Sequence, residues 1–309
     1  MSTVTQPLAL PRSGLVTRAR DYAELTKLRV TTLIVMTAWC GYYFGALKSG
    51  LSSISWGLFH ALLGIALISG GTAAMNEVME SDIDGRMRRT AQRPLPAGRM
   101  SFLHAAIFAG LLIVGGALYL GFALNALTGW LSAATAFVYL AAYTPLKRVH
   151  PICTFVGAFP GAMPGVLGWT AARGRLDWGA LVMFAIVFFW QFPHFFSIAW
   201  LYREDYEAGH VRMLPVVEPD GKSTGRQIVL YSLGLIPITL APTLLGMSGK
   251  IYVAGALVMG AALLYFSLRL AVLRMPLNSA RSKQRARHLL QATVFYLPLL
   301  FALMMLDKL

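Results

Sequence analysis

Apolar runs of roughly 18 to 24 residues recur along this chain, each about the length a helix needs to cross some 30 Å of hydrocarbon. Nine are legible, near residues 28–47, 57–80, 102–122, 125–144, 152–172, 178–200, 228–247, 250–270 and 288–306. Lipid offers the backbone no hydrogen-bond partners, so runs of this kind are expected as helices packed on one another. With 57% hydrophobic and only 13% charged residues, the chain is too apolar for ordinary soluble domains. The reading is an all-α polytopic membrane protein of about nine transmembrane helices. The closest pair of runs, within 102–144, is separated only by the short ALNALTG.

Little else remains for a separate domain. Residues 1–25, MSTVTQPLALPRSGLVTRARDYAEL, lack the apolar core of a cleaved secretory signal and read as a cytosolic N-terminal tail. Residues 26–309 read as one transmembrane domain, with longer loops near 81–101, 201–227 and 271–287. Cys40 and Cys153 both fall inside apolar runs, which argues for packing roles rather than a disulfide framework.

A formal net charge of +14 raises nucleic acid as a partner, but the distribution of the charge argues against it. If the N-terminus is cytosolic, the opposite side keeps only Lys48, Arg173, Arg175, Lys250 and Lys308 of the 27 basic residues. The remainder, from Arg12 and Arg18 to Arg274 and Arg287, flank the runs on the cytosolic side. That asymmetry is the positive-inside pattern, and it orients the chain N-in and C-out.

The acids are distributed differently. More than half of the 13 acidic residues lie in two short windows, Glu77, Glu80, Asp82 and Asp84 after the second run and Glu204, Asp205 and Glu207 after the sixth. Both windows fall on the basic side. On a helix that continues through Asp84, the residues Asn76, Glu80 and Asp84 stand at i, i+4 and i+8, each step turning only about 40° around the axis. They make one stripe of oxygen donors, while Glu77 and Asp82 point elsewhere and suit secondary or solvated roles. Hard oxygen ligands of this kind suit Mg²⁺, which keeps waters or phosphate oxygens in its remaining positions.

The basic residues available to such a site are Lys27 and Arg29 in LTKLRV, Arg88, Arg89 and Arg93 in MRRTAQRPL, and Lys147 and Arg148 in YTPLKR, which also supplies the phenol of Tyr143. For any one of these bases, anchoring at the membrane surface and contact with phosphate are equally open. Together with the acids they describe a site for a metal-bridged diphosphate leaving group.

The stretch NEVMESDIDGRMRRTAQRPL resembles the first Asn/Asp-rich motif of the UbiA superfamily of intramembrane prenyltransferases, and in detail its haem-modifying branch. The match runs through Asn76, Glu80, Asp82, Asp84, Met87, Arg89, Thr90, Arg93, Pro94 and Leu95. YTPLKR, GAMPGVLGW and WQFPHFFSIAWLYREDYEAGHVRMLPVV extend it, so that it covers roughly residues 25 to 305. Three departures stand out. Glu80 replaces the usual Asp, Leu28 stands where a Pro is common, and YREDYEAG is shorter than the second motif of quinone-type relatives.

The resemblance implies helices around a central cavity and a cytosol-facing cap built from the two acidic loops. It implies farnesyl transfer from farnesyl diphosphate to a vinyl group of haem B, giving haem O, in a bacterial cytoplasmic membrane. It implies Mg²⁺ on Asn76, Glu80, Asp84 and Asp205, with Glu204 a further candidate ligand. Lys27, Arg29, Arg89, Arg93, Tyr143, Lys147 and Arg148 would surround the diphosphate. His194 follows Pro193 inside a run; it either bonds a nearby carbonyl freed by that proline or binds haem iron. Haem A synthase or oxidase assembly proteins are implied partners. Two rival readings are a UbiA-type enzyme with a quinone-precursor or other tetrapyrrole acceptor, and a cation transporter. A transporter is expected to carry its carboxylates near mid-membrane, whereas these lie at helix ends.

Overall fold

The structure, a computed structural model, describes residues 14–218, 220–272 and 276–309. Residues 1–13 of the expected tail, with Arg12, and also Arg274, lie outside the described residues. Within them all regular structure is helical, as a backbone in lipid requires. The chain runs through α1 (Leu15–Leu25), α2 (Leu28–Lys48), α3 (Trp56–Asp84) and α4 (Phe102–Ala123). A composite span follows, made of α5 (Ala126–Phe137), a π-helical segment (Val138–Tyr143) and α6 (Thr144–Leu146). Next come α7 (Cys153–Arg173), α8 (Trp178–Leu201), the short α9 (Arg203–Ala208) and α10 (Leu214–Val217). The chain closes with α11 (Lys222–Ile238), α12 (Ala241–Leu244), α13 (Lys250–Ala271) and α14 (Ala280–Leu306).

Each of the nine apolar runs lies in one long helical span, and eight of these are long and apolar enough to cross a membrane. The ninth, α7, is 21 residues long but rich in Gly, Ala and Pro. Its low hydropathy follows from its position: most of its residues are buried against other helices rather than against lipid. Two spans start earlier than their apolar cores, at Lys222 and Ala280, because the helices carry on as polar turns on the basic side. The second half of the expected tail is itself the helix α1. It is tied to the loop after α3 by Arg99, which reaches Asp21 at 2.9 Å and Glu24 at 3.3 Å.

Neighbours in sequence mostly pack together, and the spans fall into two groups, α2, α3, α4 and α5 in one and α8, α11, α13 and α14 in the other, joined by α7, which packs on α2, α5 and α8. The α2–α7 seam is held by small residues. A side chain at Gly41 would strike the Gly165 carbonyl, and one at Gly168 would strike that of Ala38, so the two backbones touch directly. Helix starts are fixed by side-chain caps: Ser55, Ser101, Asn125, Asp177 and Ser279 each accept a backbone N–H of the following turn. Trp56, Trp130 and Trp178 are exposed at or near the starts of α3, α5 and α8, where amphipathic rings anchor at a membrane interface. Cys40 and Cys153 are free and buried, as packing residues should be.

Candidate active site

The α3 helix does continue through Asp84, and its last turns carry Asn76, Glu80 and Asp84 into the protein, all buried. Buried carboxylates need partners, and each has a cation supplied by a different segment. Arg93 donates from Nη1 to Asp84 Oδ2 at 2.6 Å. The loop that carries it is folded back by Thr90, whose hydroxyl donates to the Asp84 carbonyl at 2.9 Å. Lys147, just past α6, donates to Glu80 Oε1 and Oε2 at 2.9 and 3.0 Å. Its ammonium also lies 4.6 Å from the centre of the Tyr143 ring, a cation–π contact.

Lys27 completes the layer. It stands between α1 and α2 with φ +48°, in the left-handed region, which non-glycine residues enter only when the surroundings hold them there. That turn lets Nζ donate to Asn76 Oδ1 at 2.8 Å. The Asn76 amide nitrogen in turn donates to Thr144 Oγ1 at 3.1 Å, so both ends of the side chain are fixed. Burial, and then the positive charges of Arg93 and Lys147, push the Lys27 ammonium down to about 8.

Beneath this layer lies a cavity of about 240 Å³, reaching from Lys27 down between α2, α3, the π segment, α7 and α8. Its wall is mainly apolar, with Ile34, Ile68, Pro164, Leu167 and Phe195 on it, and Tyr139 and Tyr143 near the layer. The π segment widens the helix locally, a distortion that recurs at functional sites. Polar heads over an apolar chamber match an amphipathic substrate with a charged end and a hydrocarbon tail.

The second window meets the first on the same rim. Gly209 packs on Ile83 and Met87 so closely that a side chain there would crowd both. The Arg212 amide donates to the Lys147 carbonyl at 2.8 Å. Arg89 lies over the rings of Tyr202 and Tyr206, at 5.3 and 5.9 Å. Asp205 sits half-buried in the first turn of α9.

Other expected residues sit elsewhere. Glu204 turns outward to Lys283 at 2.8 Å, and that bond holds its carboxyl below the usual range. Arg148 pairs with the exposed Asp82 and also donates to the Met79 carbonyl. Arg29 is exposed. Glu77, expected to be secondary or solvated, is instead fully buried, and neither carboxylate oxygen has a hydrogen-bond partner. His194 belongs to another space, an apolar cleft of about 360 Å³ between α2, α8 and α14. Its Nδ1 meets the Thr293 hydroxyl at 2.9 Å, not a carbonyl freed by Pro193. Among the described residues, no three His, Cys, Asp or Glu side chains converge as a ready-made metal cage.

The amino-acid sequence matches the UbiA prenyltransferase family over residues 34–304. The chain belongs to that family. Among its relatives, the protoheme IX farnesyltransferase of Koribacter versatilis is 62% identical over 308 residues, covering 100% of this chain and 99% of that one. The protoheme IX farnesyltransferase of Solibacter usitatus is 47% identical, with 94% and 99% covered. The UbiA fold is also recovered from coordinates. A structure of digeranylgeranylglyceryl phosphate synthase aligns with TM-score 0.73 at 14% identity, over 94% of this chain and 98% of that one. A UbiA homologue from Archaeoglobus fulgidus, bound to GPP and Mg²⁺, aligns with TM-score 0.62 at 15% identity, over 92% and 99%. Within this family frame, Thr144 and Tyr139 are the site residues that sequence reasoning passed over. Thr144 sits beside Tyr143 in YTPLKR, but nothing in that motif announces that its hydroxyl faces Asn76.

Proposed function

We propose that the chain transfers the farnesyl group of farnesyl diphosphate to a vinyl group of haem B, releasing diphosphate and giving haem O. The observation that carries this reading is the buried layer of Lys27–Asn76, Lys147–Glu80 and Arg93–Asp84 contacts roofing an apolar cavity, in a chain 62% identical to a protoheme IX farnesyltransferase. The diphosphate lies at the layer and the isoprenoid tail in the cavity. Lys27, Arg93, Lys147 and, from the rim, Arg89 donate to its oxygens. The C1–O bond breaks with its electron pair leaving on diphosphate, and these cations stabilise the charge that develops. The vinyl carbon forms the new bond to C1, and a water oxygen adds to the neighbouring carbon with loss of a proton, leaving a hydroxyl. The apolar wall keeps other water away from the allylic cation until that bond has formed.

The donor set suits Mg²⁺ in kind: Asn76, Glu80 and Asp84 offer hard oxygens from one helix face, and Glu77 adds two buried oxygens without partners beside them. Asn76, Glu80, Asp84 and Asp205 would hold the ion, which when bound neutralises charge on the leaving diphosphate. With Glu80 and Asp84 holding the ion, Lys147 and Arg93, their present partners, would be free to donate to the phosphate oxygens. His194 is assigned to haem. The basic side, with the N-terminus, faces the cytosol of a bacterial cytoplasmic membrane.

The test uses purified protein in lipid with haem B, farnesyl diphosphate and Mg²⁺. Haem O should appear by mass spectrometry, vanish with chelator and have no counterpart when a hydroxybenzoate replaces haem. Prenylated benzoate in place of haem O would overturn the acceptor.

A further inference from the structure

Two residues one turn apart on α8, Trp190 and His194, both reach the same residue of α14. Trp190 donates from Nε1 to the Thr293 carbonyl at 2.8 Å. His194 Nδ1 lies 2.9 Å from Thr293 Oγ1. The indole and imidazole rings stack at 4.9 Å with 18° between their planes, so the imidazole is held both in its plane and at one edge.

The direction of the His194 bond follows from proton counting. Thr293 Oγ1 also lies 2.7 Å from the Leu290 carbonyl, which can only accept. A hydroxyl has one proton. With that proton directed to Leu290, the Thr293 oxygen accepts from His194, whose Nδ1 then carries the hydrogen. Thr293 is fully buried, so water does not compete for these bonds. His194 is thus fixed as the tautomer with a bare lone pair on Nε2, the edge turned away from Thr293. This is the arrangement of a metal-ligating imidazole, in which the far nitrogen donates to a fixed acceptor and the near one binds.

The space available to that lone pair is the apolar cleft, with Leu33 and Met36 of α2 and Leu297, Pro298 and Phe301 of α14 on its walls. On α8 the next residue, Phe195, lines the cavity under the charged layer instead. Successive side chains of one helix therefore look into the two spaces. A flat apolar macrocycle in the cleft would bring its rim toward the cavity that holds the isoprenoid.

We propose that this cleft seats the haem macrocycle, with His194 Nε2 as axial ligand to the iron and Thr293 as the positioning residue that sets the tautomer. Trp190 holds the ring plane. The inference rests on the haem B reading above but adds the seat, the ligating atom and the residue behind it.

The test titrates ferric haem B and iron-free protoporphyrin IX into the full chain in nanodiscs, followed by absorbance and electron paramagnetic resonance. Wild type shows a histidine-ligated iron signature and binds haem more tightly than protoporphyrin IX. Thr293→Val keeps the shape and removes the acceptor. It weakens haem binding about 10-fold or more and leaves protoporphyrin IX binding unchanged, and Thr293→Ser restores the haem affinity. His194→Ala abolishes the signature, and added imidazole brings it back. If both variants bind both porphyrins as wild type does, or lose both equally, the residues only brace α8 against α14 and the inference fails. If wild type binds neither porphyrin, the acceptor reading itself fails and takes the inference with it.

Discussion

The ammonium of Lys147 sits within 3.0 Å of both carboxylate oxygens of Glu80, with the two side chains only 13% and 9% exposed. A pair this enclosed is far more sensitive to losing one partner than to losing both, because the survivor is left as an uncompensated buried charge. Lys147→Met should lower stability by ~3–5 kcal/mol, seen as a fall in melting temperature in detergent. Glu80→Met combined with Lys147→Met should recover most of that loss while remaining inactive. A double variant no more stable than the single one would contradict the pairing.

Asp84 is the acid that the loop after α3 is folded to reach, through Arg93 and Thr90. Asp84→Ala should abolish farnesyl transfer while the protein still inserts and still binds haem. Full turnover in that variant would take Asp84 out of the metal shell.

The two acids at the start of α9 should separate cleanly. Glu204 belongs to an exposed pair with Lys283, and such pairs contribute ~0.2–1 kcal/mol at most. Glu204→Gln should leave turnover within about two-fold of wild type by that argument. Asp205→Asn should raise the Mg²⁺ concentration needed for half-maximal rate by about 10-fold or more. The reverse ranking would move the ligand role to Glu204.

Lys27 gives a pH signature in the absence of metal. Its ammonium is held down to about 8 by burial and by Arg93 and Lys147, so the charged form is present below that pH and lost above it. Pyrophosphate binding, measured calorimetrically in chelator, should therefore weaken as pH rises through about 8. Lys27→Arg keeps its charge well above that pH and should carry tight binding further into the alkaline range. An identical alkaline fall in both proteins would assign it to another group.

Periodicity alone was enough to align Asn76, Glu80 and Asp84, because an i, i+4, i+8 stripe needs only a helix that does not stop. The length of the apolar runs, in turn, located all nine spans. What periodicity leaves open is what stands opposite a given face. Glu77 lies about 100° from Asn76 on the helix wheel, and nothing local says that this direction is closed off rather than open to water. The partnership of His194 with Thr293 joins positions 99 apart in the chain, and the hydroxyl that decides the tautomer looks in the sequence like any threonine in an apolar helix. The π segment escaped for a related reason, since VYLAAY carries no mark of an extra residue per turn.

In the layer over the cavity, the ion-paired cations Arg93 and Lys147 match their acids Asp84 and Glu80 in number. An idle enzyme balanced in this way exerts little pull on stray ions or solvent at the mouth of a greasy chamber. A lone anion arriving there would upset the balance, whereas one escorted by its own counter-ions preserves it. Loading is then a change of dancing partners among charges already present, and the same exchange run backwards lets the spent headgroup go.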